Sequence, residues 1–362
     1  MKHMDELLRL MVEAGASDLH VKAGSPPMMR VDGELRPFEL PALDPEDTKD
    51  YAASLMSDKQ IRRFSETNEL DFAYSAPQIG RFRVNVYRQR GSISVAMRQV
   101  AAVIPTFEEL LLPAAVEKLS LEPRGMLLVT GTTGSGKTTT LAAMVDHINT
   151  NLRRHIVTIE DPIEILHRDK RSIINQREVG LDTESYSSAL KYVLRQDPDS
   201  ILIGEMRDLE TVRTALTAAQ TGHFVMSTLH TIDATETINR IIDFFPPYQQ
   251  KQVRIMLAGS LRGIISQRLL PHVNAVGRVP AVEVLVMTGR VRDFILDPAQ
   301  THNIETVIKE GEYYGMQSFD QSLLSLYERG LTTLHDAVAA ATSPHDFKLL
   351  VQSRGHDISL AD

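Results

Sequence analysis

Met126-Leu127-Leu128-Val129-Thr130-Gly131-Thr132-Thr133-Gly134-Ser135-Gly136-Lys137-Thr138 joins an apolar, strand-like run to a glycine-rich loop ending in Lys-Thr. Residues 131–138 fit the phosphate-binding loop pattern in full, directly after a strand and directly before a helix starting at about Lys137. Glycine permits the φ values that turn backbone N–H groups inward around phosphate oxygens. The helix start adds its partial positive charge. The expected nucleotide-binding residues are Gly131, Thr132, Thr133, Gly134, Ser135, Gly136, Lys137, Thr138 and Thr139. Lys137 is expected to reach the β- and γ-phosphates and Thr138 to ligate Mg²⁺, which makes ATP and Mg²⁺ the expected cofactors.

Working outward, short apolar runs rich in β-branched residues recur at 155–159, 201–203, 224–226 and 281–287, with helical stretches such as 209–221 between most of them. This alternation predicts a doubly wound α/β domain around a largely parallel, buried sheet. After residue 287 strand signals stop, and 319–329, 334–341 and 344–352 read as a small helical tail. The first hundred residues have a different texture, that of a small α+β unit. A helix is expected over 5–14, then strands at 18–21 and 28–31, with a hairpin turn at Asp32-Gly33. Further strands are expected at 80–88 and 93–98. In the first of these Phe82, Val84 and Val86 share one face and Arg81, Arg83 and Asn85 the other. The expected organisation is thus 1–100, a linker at 101–112, an ATPase core at 113–287 and a C-terminal helical region at 288–362.

Hydrolysis needs carboxylates near the phosphates. Ile159-Glu160-Asp161-Pro162-Ile163-Glu164 places three acids at one strand end, and Ile201-Leu202-Ile203-Gly204-Glu205 places one at another. Ligands of open α/β sheets collect at the carboxyl ends of strands, so these acids converge on Lys137. Thr138, Glu160, Asp161 and Glu205 are the expected metal-side residues. Glu164 and Glu205 are both candidates for the attacking water, and the sequence does not choose between them. His230 follows the next strand, where a γ-phosphate sensor or a packed residue could equally stand; His223 precedes that strand and reads as structural. No positive charge in this half of the chain faces the transferring phosphoryl group. Arg81 and Arg83 are candidates for supplying one in trans, against the alternative of a solvated strand face.

The chain has 362 residues, 43% hydrophobic and 24% charged, with a formal charge of −8 and no cysteine. It is long enough for two or three packed domains. Disulfides, cysteine-ligated zinc, iron–sulfur clusters and thiol catalysis are excluded. The acidic balance, no Trp and no aromatic–basic interleaving argue against a nucleic-acid translocase, the competing reading for such a core. The start carries acids just before a short apolar stretch and no run is long enough to span a bilayer, so the expectation is a cytoplasmic protein without signal peptide.

Several segments together carry a resemblance. These are 158–164, Gln176-Arg177-Glu178-Val179, Gly204-Glu205-Met206-Arg207-Asp208, Gly222-His223 and Thr228-Leu229-His230-Thr231. Gly15-Ala16-Ser17-Asp18-Leu19-His20, Gly80-Arg81-Phe82-Arg83-Val84-Asn85 and Gly315-Met316-Gln317-Ser318-Phe319-Asp320 add to it. In order, and over nearly the whole chain, they resemble the secretion ATPases of type II and type IV pilus systems, more narrowly the twitching-motility retraction (PilT) family. That resemblance implies a homohexamer of subunits with a PAS-like N-terminal domain and a RecA-like ATPase domain, ATP lying between the two. It assigns 131–138 to the Walker A loop, Glu160, Asp161 and Glu164 to an acidic box, Glu205 to the Walker B position, and His223 and His230 to a histidine box. Arg81 and Arg83 match arginines that reach a neighbour's nucleotide. It implies work at the cytoplasmic face of the inner membrane, against a polytopic platform protein, pulling pilins from the fibre.

Extension ATPases of the same superfamily carry a long extra N-terminal region and usually four zinc-binding cysteines, so extension or type II secretion is the less expected role. Two stretches also leave an accessory retraction motor (PilU-like), or partnership with such a paralogue, open. One is 176–185; the other is Arg290-Val291-Arg292-Asp293-Phe294-Ile295-Leu296-Asp297, where Leu296 replaces the family's second Arg.

Overall fold

The computed structural model describes residues 3–31, 33–100, 103–273 and 277–356. Asp32 of the expected hairpin turn and residues 101–102 of the expected linker lie outside these. The chain divides into two compact units, 1–103 with 164–166, and 104–163 with 167–362.

The first unit runs α1 (Met4–Glu13), β1 (Asp18–Lys22), β2 (Met28–Val31), β3 (Glu34–Pro37), α2 (Pro45–Leu55), α3 (Asp58–Thr67), β4 (Glu69–Ala76), β5 (Gly80–Gln89) and β6 (Ser92–Gln99). Its six-stranded antiparallel sheet has the order β3-β2-β1-β6-β5-β4. Leu7, Leu8 and Met11 of α1 pack with Leu19, Phe82, Val84, Val86 and Met97 in the core of this unit. Along β5 the side chains alternate: Phe82, Val84 and Val86 are buried, Arg81 is half-buried and Arg83 exposed. The sequence assigns nothing to 34–76, where β3, α2, α3 and β4 form. Strand β3 is exposed throughout, and α3 buries only Phe64, so neither writes an apolar period into the sequence. Helix α2 is started locally instead, by a capping box between Asp44 and Asp47 with Pro45 at the first position.

The second unit continues with α4 (Ala114–Ser120), β7 (Gly125–Thr130), α5 (Lys137–Asn151), β8 (His155–Glu160), β9 (Ile173–Glu178), α6 (Tyr186–Val193), β10 (Ser200–Ile203), α7 (Leu209–Gln220), β11 (Phe224–Leu229), α8 (Ala234–Asp243) and α9 (Pro247–Ser260). It ends with β12 (Leu261–Pro271), β13 (Arg278–Val286), α10 (Gly289–Leu296), α11 (Ile304–Glu310), α12 (Phe319–Glu328), α13 (Leu334–Ala340) and α14 (Pro344–Ser353). The seven-stranded sheet has the order β13-β12-β7-β11-β10-β8-β9, parallel except for the antiparallel β12–β13 pair. Alternate residues of β7 feed two different cores. Met126 and Leu128 join one, with α6 to α9; Leu127 and Val129 join the other, with α4 and α5. A strand buried on both faces needs an unbroken apolar run, which is why β7, β10 and β11 are legible as sequence.

Strands β9 and β12 are not. Strand β9 is an edge with Ile173 largely exposed, and β12 carries Arg262, Ser266, Gln267 and Arg268 through the sheet. Helices α12 to α14 close over Leu270, Val279 and Ala281 at the outer hairpin.

Candidate functional site

The parallel register brings four strand ends to one edge of the second unit. Thr130 pairs with Leu229, and Ile203 with both Ile159 and Ser227. The phosphate loop, His230, Glu205 and Glu160 therefore leave the sheet on the same side, from the adjacent strands β7, β11, β10 and β8. At about 4.8 Å per strand, β10 stands roughly 10 Å and β8 roughly 14 Å from the loop's own strand. Glu205 is thus the nearer acid, and its charge acts on Lys137.

The loop is built on close backbone approach. Gly131 has φ 139° and Gly136, capping α5, has φ 92°. A β-carbon on Gly131 would lie 2.4 Å from the Gln267 carbonyl oxygen of β12 and 2.5 Å from Ser135 Oγ. Lys137 is buried, and its Nζ donates to the carbonyls of Gly131 (2.8 Å) and Thr132 (2.9 Å). Burial pulls its ammonium below the ordinary lysine range, and Glu205 opposes that. Ser135 Oγ is buried without a hydrogen-bond partner, an orphaned donor on the floor of the loop. Such a hydroxyl, a buried ammonium and a helix N-terminus fit a phosphate chain. Thr138, exposed in the first turn of α5, fits Mg²⁺, which keeps most of its waters and takes few protein ligands beside the phosphates.

Glu205 is held from two sides. Arg207 Nη2 lies 2.8 Å from its Oε2 and His230 Nε2 lies 3.2 Å from its Oε1. Burial alone would raise this carboxyl, but the Arg207 hydrogen bond and the His230 charge together keep it below its ordinary value. The Arg207 guanidinium is raised in turn, chiefly by its hydrogen bond to Glu205. Gly204 leaves room beneath: a β-carbon there would meet Tyr186 Oη at 2.9 Å. Burial raises that phenol, and the charge of Asp161 adds to it, so Tyr186 stays protonated beside the acids.

The acidic segment separates into parts. Glu160 is buried; its Oε1 accepts from Thr158 Oγ1 (2.6 Å) and Gln176 Nε2 (3.0 Å). Asp161 is exposed next to the cis Asp161-Pro162 bond, and Glu164 is exposed within the segment that groups with the first unit. Arg81 and Arg83 also belong to that first unit, on the outward face of β5. The two histidines do not meet within one subunit. They bracket β11, which sets them roughly 20 Å apart at about 3.3 Å per residue. His223 instead bonds the end of the preceding helix, its Nδ1 3.1 Å from the Ala218 carbonyl.

Sequence reasoning missed Arg207, Tyr186 and a cavity of about 320 Å³ beside the loop. The cavity is walled by Leu110, Leu112, Leu269 and Pro280, with Thr139 and Arg278 among its polar lining. Apolar walls next to a phosphate loop suit a nucleobase. These residues come from three separate stretches of chain, so only the lone Arg two places after Glu205 was available as a signal.

The model of the type II/IV secretion system protein family matches residues 1–339. The chain is 45% identical to the type IV pilus retraction ATPase PilT of Pseudomonas aeruginosa, over 94% of this chain and 99% of that protein. It is 44% identical to the type IV pilus ATPase PilU of the same organism, over 96% of this chain and 91% of that one. A crystal structure of the pilus retraction motor PilT with bound ADP superposes with TM-score 0.87 at 47% identity, covering 96% of this chain and 100% of that one.

Proposed function

The chain belongs to the type II/IV secretion system protein family, and from that premise we propose that it is an ATP-hydrolysing motor that powers retraction of a type IV pilus. The observation that carries the proposal is the meeting of Lys137, Glu205, Arg207 and His230 at one sheet edge, in a chain similar to PilT over 94% of its length. Lys137 exchanges its loop carbonyls for β- and γ-phosphate oxygens. Thr138 and Glu205 would hold Mg²⁺, which when bound would supply positive charge against the phosphates. A carboxylate kept ionised by Arg207 and His230 is a strong acceptor but a poor proton abstractor. Glu205 therefore suits orienting the attacking water better than taking its proton, which leaves Glu164 as the candidate base. His230 senses the γ-phosphate through its contact with Glu205.

In this proposal six copies form a ring at the cytoplasmic face of the inner membrane, against a polytopic platform protein. Arg81 and Arg83 complete a neighbour's site and stabilise the transferring phosphoryl group. Among the described residues no helix is long and apolar enough to cross a membrane, so attachment goes through partners. The near-equal identity to PilU supports a second reading, an accessory retraction motor. Deleting the gene and counting surface pili tests the proposal. Excess pili with lost surface movement support retraction, absent pili mean extension, and movement lost only under load points to the accessory role. Strong stimulation of turnover by DNA would favour a translocase instead.

A further inference from the structure

Outside the residues considered so far, one buried carboxylate is placed where packing alone would put an apolar side chain. Glu283 lies on β13, 6% exposed, facing Ser266 across the β12–β13 pair. Its Oε1 accepts the backbone N–H of Ala234, the first residue of α8, at 2.8 Å. That helix already has its own cap, Asp233, which accepts from Glu236 N at 2.7 Å. Glu283 is thus a second carboxylate on the same helix start, supplied from a sheet strand 49 residues further along the chain.

What it anchors is the short connection from β11 to α8, residues 230–233, which begins with His230. Other bonds in this connection return to α8 itself: Thr231 Oγ1 lies 2.6 Å from Thr237 Oγ1, and Ile232 N donates to Glu236 Oε2 at 2.8 Å. They stiffen connection and helix together but leave open where the pair sits on the sheet. The Glu283 bond ties it to the hairpin that also backs the phosphate loop. There Thr130 Oγ1 donates to Ser266 Oγ (3.0 Å) and Gln267 Nε2 donates to Thr140 Oγ1 (2.8 Å). A buried carboxylate is costly unless it is bonded, so its use here implies a demand on position beyond filling space.

We propose that Glu283 is a positioning residue of the hydrolytic site: by holding the Ala234 N–H it fixes the connection that presents His230 to Glu205. The role rests on the ATPase reading above. The charges facing Glu283 are Asp233, the cap of α8, Arg268 on β12 and Glu305 on α11. Arg268 is itself engaged with the Ala340 carbonyl (2.6 Å) and the face of Phe319 (3.8 Å). Burial pushes the Glu283 carboxyl up to about 7, so the strength of the anchor changes across neutral pH.

The test is steady-state ATP hydrolysis by the full-length assembled protein from pH 6 to 9, for wild type, Glu283→Gln, Glu283→Ala, His230→Ala and the Ala double variant. Misplacement of a catalytic group by about 1 Å costs on the order of 10²-fold, so Glu283→Ala lowers kcat by roughly 10- to 100-fold with KM for ATP within about threefold. The amide of Glu283→Gln still accepts the Ala234 N–H, recovers most of that loss, and removes the step in the pH profile near 7. In the double variant the two losses do not multiply, because both remove one contact. Unchanged kcat in Glu283→Ala, multiplying losses, or a Glu283→Gln variant as impaired as Glu283→Ala would each overturn the positioning role. If Glu283→Ala does not assemble, Ala234→Pro, which removes the anchored N–H at the first position of α8 where proline is tolerated, is read in its place, with the same loss expected and an unchanged kcat overturning the role. A wild type that hydrolyses nothing overturns the ATPase reading itself, a result distinct from all of these.

Discussion

The sharpest quantitative consequence concerns Gly131→Ala, with Gly134→Ala as its partner experiment. At Gly131 the backbone has φ 139°, a conformation that costs an L-residue about 1–3 kcal/mol. The new methyl would also stand 2.4 Å from the Gln267 carbonyl oxygen, a backbone atom within the sheet that cannot swing aside. Forcing such a contact apart adds roughly 1–3 kcal/mol. Taking about 4 kcal/mol in all, and about 2–4 °C per kcal/mol for a unit of this size, the unfolding midpoint falls by roughly 8–16 °C. Gly134 has φ 79°, and a β-carbon there meets nothing within 4 Å. Its alanine variant carries backbone strain alone, about 1–2 kcal/mol, and a midpoint lower by roughly 2–8 °C. Differential scanning fluorimetry reads both, without nucleotide and with a nonhydrolysable ATP analogue. At 100 times Kd the analogue stabilises wild type by about 2.7 kcal/mol, and Gly131→Ala gains less than about a third of that. Midpoints for the two variants within about 2 °C of each other would refute the claim that β12 dictates glycine at position 131.

Three further outcomes are expected. Lys137→Ala lowers turnover by roughly 10²–10³-fold or more, as loss of a transition-state donor does, and wild-type phosphate release from the variant would remove the site assignment. Arg83→Ala depresses turnover of the assembled ring by roughly 10²-fold or more while nucleotide affinity stays within about threefold; an unchanged rate rules out its role across the subunit boundary. His167, whose Nδ1 is buried without a partner, has its imidazole lowered by burial from 6.5 to about 4. A depressed base leaves the folded state unprotonated while the unfolded chain binds a proton, so the neutral form's contribution is intact above pH 6.5 and is lost as pH falls toward 4. By linkage that loss reaches about 3 kcal/mol, about 1.3 kcal/mol of it between pH 7.5 and 5.5. In urea titrations His167→Leu should show that much less acid sensitivity than wild type, and equal sensitivity contradicts the assignment.

Where a residue's environment is written by its own neighbours in sequence, the site was legible. Strand β7 must be apolar on both faces, and the loop after it must carry glycines and Lys137, so strand, loop and helix announce themselves in 13 residues. The same holds for Glu205 at the end of β10 and for the alternation of β5 that turns Arg81 and Arg83 outward. Strand β12 was illegible because its polar residues are satisfied across the sheet, Ser266 by Thr130 and Gln267 by Thr140, partners 136 and 127 residues away. The opposite ends of β11 occupied by His223 and His230 were legible from sequence, but the Ala218 carbonyl that His223 meets and the Glu205 carboxylate that His230 meets were not.

Taken alone, the order of residues determined that this chain binds a nucleoside triphosphate on a doubly wound α/β core, because phosphate geometry and burial on two faces leave few alternatives locally. Tertiary structure decided which acid stands near Lys137, what keeps Glu205 ionised, and which buried carboxylate anchors the start of α8. Those choices depend on charges and hydrogen bonds between strands distant in sequence, and such energies exist only once the sheet has brought the strand ends together.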